Sequence, residues 1–130
     1  MPNLKIPATE RSPEVDFDFD NHRLRLKGES YPEDVAAFYG PVFETLDGYF
    51  DGLRDGACCF DFELVYFNSS SAKAITSLLE KLDKVAAGGA AVTVNWHYDE
   101  EDDTMRQLGE EFGEDLEHAT FHLERMAGEE

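Results

Sequence analysis

Three consecutive hydroxyls, Ser69-Ser70-Ser71, follow Asn68 where an apolar, β-rich run gives way to an amphipathic one. Cys58 to Phe67 reads as strand and the stretch from Ala72 as helix, so these side chains sit where a strand hands over to a helix N-terminus. Such a place offers backbone N–H groups with no helical partner and the positive end of the helix dipole, and it can hold a phosphate. A phosphoryl group ester-linked to serine there would add about 1.5–2 negative charges at neutral pH. The bland alternative is that one serine caps the helix and the others face water.

The remaining chemistry-bearing residues form weaker patterns. His22, His97, His118 and His122 have no ligand spacing beyond His118-x-x-x-His122, and Thr120-Phe121 between that pair favours a strand, so no metal site is expected. Asp99 to Asp103 lacks the alternation and central glycine of a calcium loop and reads as a solvated turn. Cys58 and Cys59 are adjacent in an apolar run; a bond between them would distort the strand, so both are expected as reduced thiols, in keeping with a reducing compartment. Glycine-rich phosphate loops, nucleophile elbows and Cys-x-x-Cys pairs do not occur. No catalytic residue and no cofactor site is expected.

The 29 acidic residues outnumber the 11 Lys and Arg, giving a formal charge of -18. Such a surface repels phosphate backbones and anionic lipid, which excludes nucleic acid and membranes as expected partners. It fits either solubility in a saline cytoplasm or steering toward a basic protein. The first residues lack the apolar core of a signal peptide, and no stretch approaches ~20 apolar residues, so a cytoplasmic protein is expected.

The elements that must position the hydroxyls follow from periodicity. Residues 1–14 read as an extended lead-in whose Leu4 and Ile6 pair at a sheet edge. Val15, Phe17 and Phe19 alternate with Asp16, Asp18 and Asp20, then Leu24 and Leu26 alternate with Arg23, Arg25 and Lys27, which predicts an antiparallel hairpin closed by Gly28. Ser30-Tyr31-Pro32-Glu33 has the spacing of a capping box and predicts a helix start, and Gly40-Pro41 predicts a kink or break within that helix. Tyr31, Pro32 and Glu33 would border the same surface as the triple hydroxyl. Ala57 to Phe67, apolar on both faces toward its end, predicts a central strand of a covered sheet. The next helix ends at Gly88-Gly89, and a strand to Tyr98 returns in parallel after a right-handed crossover. Thr104 is the expected cap of a third helix, and Thr120 to Met126 an edge strand before a frayed tail at 127–130.

This strand, helix and hydroxyl layout resembles STAS domains, the anti-sigma-factor-antagonist fold, in which a serine or threonine at the start of this helix is phosphorylated. It resembles more closely the SiaC family of regulatory phosphoproteins, through five blocks in order: Ile6-Pro7-Ala8-Thr9 with Ser12-Pro13, Gly28 to Glu33, Leu64 to Lys73, Val94 to Asp99, and Leu108 to Phe112. The resemblance implies one α/β STAS-like domain over 1–130, with a mixed central sheet, helices mainly on one side and an N-terminal antiparallel hairpin. It also implies a non-enzymatic switch in c-di-GMP signalling and biofilm control. A serine/threonine kinase of the histidine-kinase-like ATPase fold would phosphorylate the chain and a metal-dependent phosphatase would reverse this; the unmodified form would bind and activate a diguanylate cyclase. The family's acceptor follows the Asn of the block, which places it on Ser69, with Ser70 and Ser71 as alternates; serine stands there in place of the family's threonine. Asn68, Ser69, Ser70, Ser71 and Lys73, with Tyr31, Pro32 and Glu33, would meet the target. The alternatives are an anti-anti-sigma factor on the same fold, and a small ligand-binding domain or enzyme using the pocket beside Asn68 to Ser71.

Overall fold

The alternation of apolar and charged residues from Glu14 onward folds as its period demands in the computed structural model, which describes residues 3–126. Strand β2 (Glu14–Asp18) pairs antiparallel with β3 (Arg23–Ser30), and β1 (Leu4–Ile6) pairs antiparallel with β2 at the sheet edge. Asp16 lies opposite Arg25 and Asp18 opposite Arg23. Arg25 reaches Glu14 and Asp16 at 3.5 Å, whereas Arg23 turns away from Asp18 to Asp61 at 3.2 Å.

The chain then alternates helix and strand: α1 (Val35–Leu53), β4 (Ala57–Phe67), α2 (Ser69–Ala87), β5 (Ala91–Asp99), α3 (Asp103–Glu114) and β6 (Thr120–Met126). The six strands stand in chain order, β1 to β6, with parallel pairing from β3 onward. Val15, Phe17, Leu24, Leu26, Phe60, Phe62, Val94 and Trp96 project to one face of the sheet and are almost completely buried beneath the helices. Ile75, Leu78 and Leu82 of α2 and Tyr39, Val42 and Leu46 of α1 meet them. Gly109 of α3 comes so close to the Trp96 ring that a Cβ there would lie 2.4 Å from it, and the Trp96 indole N–H donates to the carbonyl of Met105 at 3.1 Å.

All three helices therefore cover one face. On the other, the row Asp16, Arg25, Asp61 and Asn95 runs across four strands in register. The expectation of a sheet covered on both faces around β4 is thus corrected: Val65 and Tyr66, read from sequence as interior, are 54% and 51% exposed.

Four local expectations are also corrected. Gly28 does not close the hairpin; with φ +122 it carries β3 through a bulge and on to Ser30. Ser30 is no capping residue, because that extension buries it completely, and Asp34 caps α1 instead by accepting the Ala37 N–H at 3.0 Å. Of the kink or break expected at Gly40-Pro41, the break does not occur, since helix α1 runs on through both residues; Ala37 and Pro41 are exposed, so the carbonyl that proline leaves unbonded lies on the solvent side. Asp102, not Thr104, caps α3, accepting the Met105 N–H at 3.0 Å. The tail expected at 127–130 lies outside the described residues.

Candidate functional site

Strand β4 leaves the sheet at Phe67 and turns into α2 within one residue. Asn68 is the hinge: its backbone N–H donates to the Ser30 carbonyl at 3.2 Å, and its side-chain oxygen accepts the Ser71 N–H at 2.9 Å as the helix cap. Asparagine suits both tasks, since its short amide reaches back to the third helical N–H from an extended backbone, here φ -90 and ψ 178. Ser69 and Ser70 occupy the first two helical positions, where the backbone N–H groups have no partner within the helix, and both side chains are exposed. Lys73 is exposed one turn further on, four residues from Ser69 and so on the same side of the helix.

The third hydroxyl behaves differently. Ser71 is fully buried, and its Oγ accepts a hydrogen bond from Ser30 Oγ at 2.8 Å; Ser30 Oγ in turn lies 2.7 Å from the Tyr39 hydroxyl. This chain of three hydroxyls ties the first turn of α2 to the end of β3 and to α1. Burial pushes the Tyr39 phenol above its ordinary value, against a smaller opposing effect of the Ser30 hydrogen bond, so the phenol stays neutral and able to donate. Ser71 is therefore corrected from alternate acceptor and partner contact to a buried anchor.

Tyr31, Pro32 and Glu33 follow directly on Ser30 and so lie beside this joint. Tyr31 donates its backbone N–H to the Arg11 carbonyl at 2.6 Å, and its ring meets that of Tyr66 edge to face at 5.7 Å between centroids. Glu33 is exposed and pairs with Arg11 at 3.5 Å. The register shift in β3–β4 pairs Gly28 with Leu64 and Glu29 with Tyr66, leaving Val65 without a partner residue on β3. A bulge of this kind breaks the inward–outward alternation and re-aims side chains, and Val65 and Tyr66 both emerge into solvent. Phe67 then turns back under α3, its ring 6.3 Å from those of Trp96 and Phe112. Sequence reasoning missed Val65 and Tyr66 as surface residues; the signal for Val65 was its period with Asp61 and Glu63, and that for Tyr66 was Gly28, whose backbone freedom marks the irregularity on the partner strand.

Asp61, largely buried on the helix-free face, receives Arg23, Asn95 and His97 at 3.0–3.2 Å. Burial, with the neighbouring Cys59, pushes the Cys58 thiol up to about 11, and burial with the Asp61 charge raises that of Cys59, so both thiols stay protonated. Among the described residues, no group of three or more His, Cys, Asp or Glu could hold a metal ion, and no helix is long and apolar enough to cross a membrane.

The chain is thus an α/β domain with helices on one face of a mixed sheet and an exposed hydroxyl pair opening the helix after a central strand. The chain belongs to the SiaC family of regulatory phosphoproteins, whose family model matches residues 6–126. It is 36% identical over 116 residues to an uncharacterised protein of Pseudomonas aeruginosa strain UCBPP-PA14, covering 88% of this chain and 90% of that one. Its structure is similar to that of SiaC of Pseudomonas aeruginosa, with TM-score 0.84, 34% identity, and coverage of 98% of this chain and 100% of that chain. It is also similar to a chain in the crystal structure of the diguanylate cyclase SiaD in complex with its activator SiaC from the same organism, with TM-score 0.88, 34% identity, and coverage of 95% and 99%.

Proposed function

We propose that this chain is a non-enzymatic, cytoplasmic switch, folded as one domain over residues 1–130, whose unphosphorylated form binds and activates a diguanylate cyclase. Ser69 is its phosphoacceptor. A serine/threonine kinase of the histidine-kinase-like ATPase fold supplies the phosphoryl group, and a metal-dependent phosphatase removes it. The observation that carries the reading is the exposed Ser69 hydroxyl on the first turn of α2, beside the half-exposed Tyr66 at the end of β4. The likeness to a SiaC bound to the cyclase that it activates supports the choice of partner.

The mechanism is local. Against a formal charge of -18, one phosphate hardly alters the distant field, and salt screens it beyond about 8–10 Å. At the helix start it acts strongly: it takes up the free N–H groups of the first turn, pairs with Lys73 one turn on, and sets a hydrated dianion on the surface that a partner must dehydrate. A buried dianion without a cation from the partner costs several kcal/mol, enough to release a complex of moderate affinity.

Fragment-ion mapping after incubation with the host's kinase and ATP tests the assignment. One phosphate is expected, on Ser69, lost on treatment with the phosphatase, and cyclase turnover is expected to fall as it accumulates. A phosphate found only on Thr45, Thr76 or Thr93 would overturn the site.

A further inference from the structure

The exposed apolar patch at the end of β4 has a chemistry of its own. Among the described residues the exposed large hydrophobics are Val65, Tyr66 and Leu123, and the first two are neighbours. Val65 follows Asp61 and Glu63 onto the helix-free face by alternation, the bulge brings Tyr66 out beside it, and Tyr31 extends the patch as the edge-to-face partner of Tyr66. Val65 and Tyr66 lie beyond the β4–β5 ladder, which stops at Phe62 and Trp96.

Acids surround it. Glu63 precedes the patch on β4, Glu29 pairs with Tyr66, and Glu33 follows Tyr31. The acidic run at 99–103 leaves β5 at this same end of the parallel sheet. Of the cations at this end, Arg11 pairs with Glu33, Arg106 with Glu110 and Arg125 with Glu100, all within 4.0 Å, while Lys27, opposite Glu63, and Lys73 on α2 are exposed and outnumbered by the acids.

From this we infer that Val65, Tyr66 and Tyr31 form the docking platform for the target of the unphosphorylated chain, and that the target presents an apolar side chain flanked by lysine or arginine. The inference rests on the switch reading and deepens it. The acidic rim collects a basic partner from solution, which sets the association rate and makes it salt-dependent. The apolar centre holds the partner and sets the dissociation rate. A phosphate on Ser69, three residues from Tyr66, falls at the border of that centre, where Lys73 and the free N–H groups hold it on the surface and its desolvation opposes the partner.

Two experiments test the platform. In the first, the diguanylate cyclase of the same organism is titrated with wild type, with the Val65→Ser/Tyr66→Ser variant, and with Leu123→Ser as a control at another exposed hydrophobic. The double variant should bind at least tenfold more weakly, with unchanged circular dichroism and unchanged phosphorylation of Ser69, and the wild-type association rate should fall severalfold between 50 and 300 mM salt. Binding of the double variant equal to wild type overturns the platform and leaves the switch intact. A wild type that binds no cyclase counts against the switch reading, and the second experiment then decides the platform by itself. There the isotope-labelled chain is titrated with a synthetic helical peptide carrying one leucine stripe flanked by lysines, and with its glutamate-flanked counterpart. Amide shifts concentrated at Tyr31, Val65, Tyr66 and Ser69 with the lysine peptide alone uphold the proposal. Shifts absent there, spread evenly over the acids, or equal for both peptides overturn it, as does a wild-type dimer that the double variant dissociates, which would make the occupant a second copy of the chain.

Discussion

Two strand-to-helix joints leave the same end of the sheet side by side, and each carries serine, one at the end of its strand and the other at the start of its helix. At the β3–α1 joint Ser30 is sealed inside, held between Tyr39 and Ser71. At the β4–α2 joint Ser69 and Ser70 face water, while Ser71, one residue further, completes the buried chain. The two joints are bonded to each other through Asn68 and Ser30. The comparison teaches that residue type does not assign a role here. A hydroxyl at one joint is a structural pin and at the other a site open to modification, and the pin holds the open site in place.

The largest expected difference is all or none. Ser69→Ala should accept no phosphate from the kinase, whereas Ser30→Ala should be phosphorylated to full stoichiometry as long as it remains folded; intact mass spectrometry reads both. Phosphate on Ser69→Ala would erase the distinction between the joints.

Stability should reverse the order. Ser30→Ala orphans both Tyr39 and Ser71 and should cost about 3 kcal/mol in denaturant unfolding, the upper end for a buried polar group that loses its partner. Tyr39→Phe removes only the end of the chain and should cost about 1 kcal/mol. Ser69→Ala, at an exposed position, should stay within about 0.5 kcal/mol of wild type.

The caps sharpen the comparison by being equal. Asn68→Ala and Asp34→Ala should each cost about 1 kcal/mol, since each removes one cap from one helix. Only Asn68→Ala should also slow phosphorylation of Ser69, because it alone loosens the turn that presents the acceptor.

The smallest effect lies at the far end of α2. Asp83 is partly buried, which works against its charge, but backbone N–H groups of Ala119, His118 and Glu117 at 2.7–3.2 Å outweigh this and hold its carboxyl below the ordinary value. A lowered folded value means that the stabilisation is complete above the unfolded value of about 4 and is lost as pH falls through the lower folded one. The difference in melting temperature between wild type and Asp83→Asn should not shrink from pH 7 to about 5, since any charge on His118 adds to it, and should shrink below about 4. Phosphorylation of Ser69 should not alter it.

The parts of the fold with a clear period were legible in the sequence. The alternation from Val15 to Leu26 specified the hairpin, the apolar stripe of Ile75, Leu78 and Leu82 specified α2, and the strand propensity of Thr120-Phe121 outweighed the histidine spacing in β6. Ser30 misled because the capping-box pattern is a local rule, and β3 overrides it by pairing two residues beyond Gly28. Val65 and Tyr66 misled because an unbroken apolar run does not reveal a bulge, or which face of the sheet stays bare. The hydroxyls of Ser69 and Ser71 look alike in sequence; only the turn of the helix separates the one in water from the one in the core.

Calorimetric titration of the cyclase with the chain stoichiometrically phosphorylated on Ser69, against the unmodified chain, bears most directly on whether the open joint governs docking. The phosphorylated chain should bind at least tenfold more weakly, a difference of about 1.4 kcal/mol or more. Equal affinities would contradict the account.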